Sequence, residues 1–256
     1  MTIRVDSMIG SQWLKTVKDI CDKIWSEIQL LGTFDRVEIL TDNYDDEHPI
    51  KQATRTARGQ GGTKLSIDLT SDLPPKLQEF LQNDDNKSVL YQVMTAYFKT
   101  LVSELNQETV YVIVYGQMPT LGSVPSSTMI EVDYRLVLHI IDALLKGFND
   151  VVVRANDTDV VIILMAFFPF LLSQCQHLNL KINHGIKLNQ TLFNINNMCA
   201  NHDMENCPAL LFYHAFSGCD YVPSFYGHGK IQFCDEMVKN IDSYRETFTQ
   251  LSQLPT

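Results

Sequence analysis

Short apolar runs alternate with segments of helical periodicity along this chain of 256 residues. Four of the runs are rich in β-branched residues and predict strands: Ile3–Val5, Val37–Leu40, Val110–Tyr115 and Val151–Val153. Ser11–Leu31 carries apolar residues at the i, i+3, i+4, i+7 spacing of one helix face, and Gly32 offers a stop. The alternation predicts an α/β fold, with a mostly parallel twisted sheet flanked by helices.

The stretch that follows the second predicted strand is polar. Residues 42–86 contain the sequences RGQGG, DLPP and QNDDN, which are typical of turns, and they predict a mobile insertion with one or two helices. We place this insertion at about 43–108, within a main domain of residues 1–215. Residues 216–256 form a smaller extension in this scheme.

A second amphipathic segment, Ser126–Gly147, predicts another helix. Its apolar face is formed by Val137, Ile140, Ile141 and Leu144. Thr128 stands three residues before Glu131, which is the spacing of a capping box, so Glu131 could simply cap this helix. Asp133 lies two positions further on and shares a site with Glu131 only if the helix begins there.

Acidic residues follow three of the predicted strands. Asp6 follows the first strand directly, Asp42 follows the second after one residue, and Asp157 and Asp159 come shortly after Val151–Val153. Open α/β sheets bind their ligands at the carboxyl ends of the strands. Because Asp is also an ordinary turn residue, it is the recurrence on three strands that predicts a shared acidic site.

The composition is that of a globular protein, with 45% hydrophobic and 20% charged residues. A net charge of −10 argues against nucleic acid as a partner unless the acids are clustered. The six cysteines are scattered and the N-terminus lacks a secretory pattern, which predicts an intracellular, thiol-reduced protein. The longest apolar run, Val160–Leu172, contains Pro169 and is shorter than the roughly 20 residues of a spanning helix, so no membrane segment is predicted.

The ordered set of motifs resembles the flap endonuclease/XPG nucleases, which have a PIN-like fold. VVVRANDTDV resembles their strand–Glu-Asp-x-Asp segment, IEVDYRL their Glu-Ala-Glu helix start, and IRVDS their first strand. SGCDY followed by GHGK is similar to their Gly-Ser-Asp-Tyr motif and Gly-Ile-Gly hairpin, and LTDNYDDEHPIK to their Phe-Asp-Gly…Leu-Lys segment.

The likeness spans Ile3 to about Lys230. It is closer still to uncharacterised eukaryotic proteins, often related to mobile elements, that carry Asp-Thr-Asp-Val and His-Ala-Phe-x-Gly-Cys-Asp. The chain departs from flap nucleases in lacking their long Lys/Arg-rich arch. By the same resemblance, residues 216–256 correspond to part of a helix-hairpin-helix-like extension.

The resemblance implies one acidic cluster that binds two metal ions. Its carboxylates are Asp6, Asp42, Glu131, Asp133, Asp157, Asp159 and Asp220. So many carboxylates cannot all stay ionised in one cleft without cations, and hard oxygen ligands suit Mg²⁺ or Mn²⁺. Paired ions about 3.5–4 Å apart activate water and stabilise the in-line displacement of a phosphodiester.

Basic residues extend the implied site toward nucleic acid. Lys51 and Arg58 are two helical turns apart, and in the family a pair with this spacing lies beside the scissile phosphate, which implies a catalytic role; a solvated helix face is the alternative. Closely spaced glycines let backbone N–H groups approach a phosphate. The implied nucleic-acid contacts are Lys51, Arg55, Arg58, Gly227, Gly229 and Lys230.

A second set of soft ligands consists of Cys175, His177, His184, Cys199, His202 and Cys207. Their spacing lacks the paired C-x₂-C or H-x₃-H form of structural zinc sites. Buried or incidental thiols are therefore preferred over zinc.

These observations predict a metal-dependent, structure-selective endo- or exonuclease that hydrolyses phosphodiester bonds. The resemblance favours DNA over RNA and suggests a nuclear location. The alternative is a catalytically inactive PIN-like module that binds nucleic acid or a protein partner. A P-loop or Rossmann nucleotide binder is disfavoured, because no G-x-x-x-x-G-K-[ST] or G-x-G-x-x-G follows the first strand.

Overall fold

The computed structural model of the chain describes residues 14–30, 32–41, 64–105, 109–115, 132–185, 190–219, 222–223, 225–227 and 229–252. These residues fall into two compact units. The first comprises the described residues up to 115, and the second comprises those from 133 to 252. Each unit has a hydrophobic core of its own.

The first unit contains a parallel pair of strands and three described helices. Its elements are α1 (Val17–Gln29), β1 (Arg36–Thr41), α2 (Leu77–Phe80), α3 (Asp84–Glu104) and β2 (Val110–Tyr115). β1 and β2 run parallel, with Arg36 opposite Val110 and Thr41 opposite Tyr115. The strands predicted at Val37–Leu40 and Val110–Tyr115 are thus confirmed to within one residue, whereas the strand predicted at Ile3–Val5 lies outside the described residues.

Helix α1 begins later than the apolar periodicity predicts. A capping box sets its start: Thr16 Oγ1 accepts the backbone N–H of Asp19 at 3.2 Å, and the Asp19 carboxylate accepts the N–H of Thr16 at 2.9 Å. Leu14 and Lys15 precede the helix, so the start predicted at Ser11 is wrong. The helix ends at Gln29, and Gly32 has a φ of 113°, a left-handed value that suits glycine and the predicted stop.

Part of the predicted insertion is packed into the core. Leu77, Phe80 and Leu81 are buried in the core of the first unit. The fully buried Asn86 side chain donates to the carbonyl of Phe80 and accepts the N–H of Leu65. A buried amide must have its hydrogen bonds satisfied. These two bonds therefore link Leu65 and Phe80 to the start of α3.

The second unit is built on a three-stranded sheet. Its elements are α4 (Val132–Leu145), β3 (Asp150–Arg154), α5 (Thr158–Gln174), β4 (Asn179–His184), β5 (Thr191–Asn194), α6 (Ile195–Asn201), a 3₁₀ turn (Met204–Asn206), α7 (Ala209–Phe216), α8 (Lys230–Lys239) and α9 (Ile241–Ser252). β3 and β4 run parallel, and β5 adds to β4 in the antiparallel sense. The strand predicted at Val151–Val153 is confirmed, and the structure is α/β.

Helix α5 forms the centre of the second core. The apolar run that contains Pro169 folds as this 17-residue helix, with Val160, Leu164, Phe168 and Leu171 almost fully buried. On α4, Val137, Ile140 and Leu144 are buried as predicted. Within the described ranges, no helix combines the length and the apolar character needed to cross a bilayer.

Candidate active site

The structure describes six of the residues predicted to form the site. They are Asp133, Asp157, Asp159, Gly227, Gly229 and Lys230, all in the second unit. The other predicted site residues lie outside the described residues: Asp6, Asp42, Lys51, Arg55, Arg58, Glu131 and Asp220. The geometry of the site is therefore described for the second unit alone.

Asp157 caps the central helix of its unit. It follows β3 in an extended conformation, and its Oδ1 accepts the backbone N–H of Asp159 at 3.0 Å. The first backbone N–H groups of a helix have no partner within the helix, so a side-chain oxygen at this position stabilises the helix start. The position that the family resemblance assigns to a metal ligand thus has a structural role as well.

Replacing Asp157 separates these two roles. We expect Asp157→Ala to lower the free energy of unfolding by about 1 kcal/mol, because the cap is lost. Asp157→Asn keeps an oxygen at the same place and is expected to change stability far less. Chemical denaturation of both variants measures the difference, and equal destabilisation by Ala and Asn would show that the cap contributes nothing.

Asp159 lies in the first turn of α5, where the positive end of the helix dipole favours a carboxylate. Its Oδ1 is 3.1 Å from Nε2 of His214, which stands in the last turn of α7. The Asp159 side chain is 37% exposed and that of His214 is 17% exposed. The carboxylate thus remains open to solvent on one side while an imidazole shields it on another.

Lys230 reaches the same place from the start of α8. Its Nζ is 3.3 Å from Nδ1 of His214, and its backbone carbonyl accepts the hydroxyl of Tyr213 at 2.6 Å. Asp159 and Lys230 are far apart in sequence. The family resemblance implies that Asp159 binds metal and that Lys230 contacts phosphate. His214 brings the two side chains together.

The two glycines before α8 differ in what they require. Gly227 has a φ of 75°, in the left-handed region that favours glycine. Gly229 has no such φ, and a Cβ built on it would meet no atom within 4 Å. Nothing in the described protein requires glycine at position 229, and its backbone N–H donates to Oε1 of Gln232 at 3.4 Å.

The described acids supply suitable donors for a hard cation but do not complete a site. Carboxylate oxygens of Asp157 and Asp159 are the ligand type that Mg²⁺ and Mn²⁺ prefer. Asp133 lies in the first turn of α4 and is partly buried. Within the part of the chain that the structure describes, no group of three or more His, Cys, Asp or Glu side chains is placed to hold a metal ion. A two-ion site of the predicted kind therefore needs acids from outside the described residues.

Two of the soft ligands, Cys199 and Cys207, lie in the core, whereas His177 and His202 are exposed. Cys199 and Cys207 are fully buried, and Cys199 donates weakly to the carbonyl of Met165. A hydrogen bond with Cys207, together with burial, raises the pKa of Cys199 well above its ordinary value. Both thiols are buried in the core and hydrogen-bonded to each other or to backbone carbonyls, so these two residues act as small apolar side chains.

The chain matches no family model, and searches among curated proteins and solved structures likewise find no match.

His214 is the residue that the sequence analysis did not assign. It opens the His-Ala-Phe-x-Gly-Cys-Asp motif of the family resemblance, in which only the acid, Asp220, was assigned a role. Helix α7 is otherwise almost wholly apolar (ALLFYHAF), so a single histidine among such residues is a second signal, besides that motif, that could have drawn attention to it.

Proposed function

We propose that this chain is a metal-dependent nuclease that hydrolyses phosphodiester bonds with Mg²⁺ or Mn²⁺, with DNA as the favoured substrate. The observation that carries the proposal is the convergence of Asp159 and Lys230 on His214. In phosphoryl chemistry the metal ion and the lysine ammonium group contact the same reacting phosphate. A carboxylate that binds the cation and a lysine that binds the phosphate are therefore expected to lie close together.

Two further observations support this assignment. The confirmed strands β1 and β3 are each followed within a few residues by an acid, Asp42 and Asp157 respectively. In the segment before α8, Gly227 and Gly229 stand close together beside Lys230, the spacing that lets backbone N–H groups approach a phosphate. A role for two ions rests on the seven predicted acids taken together and on the family resemblance.

A second candidate is a binding module without catalytic activity. The segment between α7 and α8 carries exposed apolar side chains, among them Phe225 and Tyr226, and the Phe216 ring lies 5.0 Å from that of Phe225. Exposed apolar patches of this kind mark interaction surfaces. A capping role for Asp157 would also account for that residue without a metal.

Metal-dependent stability separates the two candidates. Ligands that bind only the folded state raise its stability by mass action, so the melting temperature of the whole chain is expected to be higher in millimolar Mg²⁺ or Mn²⁺ than in EDTA. The repulsion between clustered carboxylates, which the cation relieves, is the physical cause.

Differential scanning fluorimetry without nucleic acid measures this shift. Na⁺ at matched ionic strength controls for general screening. Identical melting temperatures in Mg²⁺, Mn²⁺ and EDTA would favour the binding module.

A further inference from the structure

His214 stands between two residues that the proposed function uses, yet that function gives it no task. One ring nitrogen faces the Asp159 carboxylate at 3.1 Å, and the other faces the Lys230 amine at 3.3 Å. The imidazole is therefore contacted at both nitrogens by charged groups from two different helices. Such a double contact restricts the orientation of the ring and of its neighbours.

The charge of Lys230 determines which ring nitrogen carries the proton. An ammonium group has only donors, so Nδ1 of His214 must accept its hydrogen bond and cannot be protonated. A neutral imidazole then carries its proton on Nε2, which is the atom that faces Asp159 Oδ1. This contact is within ion-pair distance but is not a hydrogen bond, since Nε2 has no hydrogen-bond partner among the described residues.

The backbone around these side chains is also held. The Tyr213 hydroxyl donates to the carbonyl of Lys230, and the Ser217 hydroxyl donates to the carbonyl of His214 at 3.1 Å. Helices α5 and α7 pack against each other, so the positions of Asp159 and His214 follow from the core. A contact fixed in this way keeps more of its energy than one between two mobile surface side chains.

We propose that His214 is a positioning residue for Asp159, and that Lys230 acts through His214. Lys230 fixes the tautomer of the imidazole, and the imidazole holds the Asp159 carboxylate in the orientation in which it binds a divalent cation. The proposal rests on the proposed function, because it takes Asp159 as a ligand of that cation. Groups that orient metal ligands in this way are typically worth about 10- to 100-fold in metal affinity.

Substitution of Lys230 gives the sharpest test, because two explanations predict opposite changes in the Mn²⁺ concentration that the protein requires. If Lys230 acted only through its charge, Lys230→Met would remove a repulsive cation and lower the Mn²⁺ concentration that the protein requires. If Lys230 holds the tautomer of His214, the same substitution raises that concentration. Lys230 is exposed, so the variant is expected to fold.

The experiment is a titration of the melting temperature of the whole chain with Mn²⁺ alone, without nucleic acid. We expect His214→Phe to raise the Mn²⁺ concentration at half of the maximal shift by about 10- to 100-fold, and Lys230→Met to raise it less. His214→Gln provides one amide NH₂ group as donor and one carbonyl oxygen as acceptor. Its Mn²⁺ concentration at half of the maximal shift should therefore stay within a few-fold of wild type. His177→Phe, at an exposed position in the turn between α5 and β4, should match wild type.

Two more readouts test how His214 acts. In the background of Asp159→Asn, His214→Phe should add little further effect, because residues that act through one another are not additive. Nitrogen-15 spectra of the wild-type imidazole should show Nδ1 without a proton, and this readout does not depend on any metal.

The possible failures are distinguishable. If wild type responds to Mn²⁺ and His214→Phe responds at the same concentration, the positioning role is wrong and the proposed function stands. A lower Mn²⁺ requirement in Lys230→Met, a protonated Nδ1, or a Gln variant as impaired as the Phe variant also overturns it. If wild type does not respond to Mn²⁺ at all, the proposed function and this inference fail together. Should His214→Phe not fold, the Lys230→Met and His214→Gln titrations decide.

Discussion

Asp159→Asn is expected to reduce phosphodiester cleavage by about a thousandfold or more in either Mg²⁺ or Mn²⁺. Asn keeps the size of the side chain but removes a negative ligand from the cation, and such a ligand contributes several kcal/mol of charge stabilisation in the transition state. Binding of nucleic acid should be unchanged or tighter, because the substitution lowers repulsion toward phosphate. Chemistry and binding should therefore move in opposite directions.

Single-turnover cleavage and fluorescence anisotropy of the same labelled substrate measure the two effects. Asp157→Asn should behave in the same way, since Asn retains the cap of α5. Asp235→Asn, an exposed acid on α8, is the matched control and should cleave at the wild-type rate. If Asp159→Asn cleaves as fast as this control, Asp159 does not bind the reacting metal.

Phe168→Ala is expected to destabilise the second unit by about 3–5 kcal/mol. The side chain is 1% exposed and lies in the core beneath the sheet, on the same helix that begins at Asp157. Truncation removes buried apolar surface and leaves a cavity that the surrounding side chains fill only in part. Guanidinium denaturation followed by circular dichroism gives the change in unfolding free energy.

Phe170 provides a control on the same helix, two residues further along and on the other side of Pro169. It is 50% exposed, so Phe170→Ala should cost roughly 0.5 kcal/mol or less. Similar losses at the two positions would mean that α5 does not direct Phe168 into the core as the structure has it.

The strands that could be predicted are those whose short runs are rich in β-branched residues. Val37–Leu40, Val110–Tyr115 and Val151–Val153 are β-branched runs in parallel pairs, and all three were located to within one residue. A local concentration of β-branched residues favours a strand whichever neighbours it pairs with, so it is a signal that the sequence alone contains.

The strands β4 and β5 gave no comparable signal. β4 buries only Leu180 and Ile182, separated by Lys181, so its pattern is too short to stand out in Asn179–His184. In β5, Leu192 and Phe193 are both exposed. The position of β5 depends on its antiparallel pairing with β4, and this pairing leaves no pattern in the sequence of β5 itself.

The candidate site divides in a similar way. Asp157 and Asp159 could be predicted because they follow a strand and open a helix, both of which are local features. His214 could not, because its contact with Asp159 arises only when α5 and α7 pack together. The first residue of α1 was missed for a simpler reason: the Thr16–Asp19 capping box overrides the apolar periodicity that begins before it.

The most direct test of the nuclease assignment is cleavage by the wild-type chain itself. The chain should be incubated with 5′-flap, bubble and single-stranded DNA and with the matching RNA, in Mg²⁺, in Mn²⁺ and in EDTA, beside Asp159→Asn as the matched negative control. We predict cleavage of at least one structured substrate in the presence of either metal, none in EDTA, and none by the variant. If the wild-type chain leaves every substrate intact with both metals, or cleaves equally well in EDTA, the assignment as a metal-dependent nuclease is wrong.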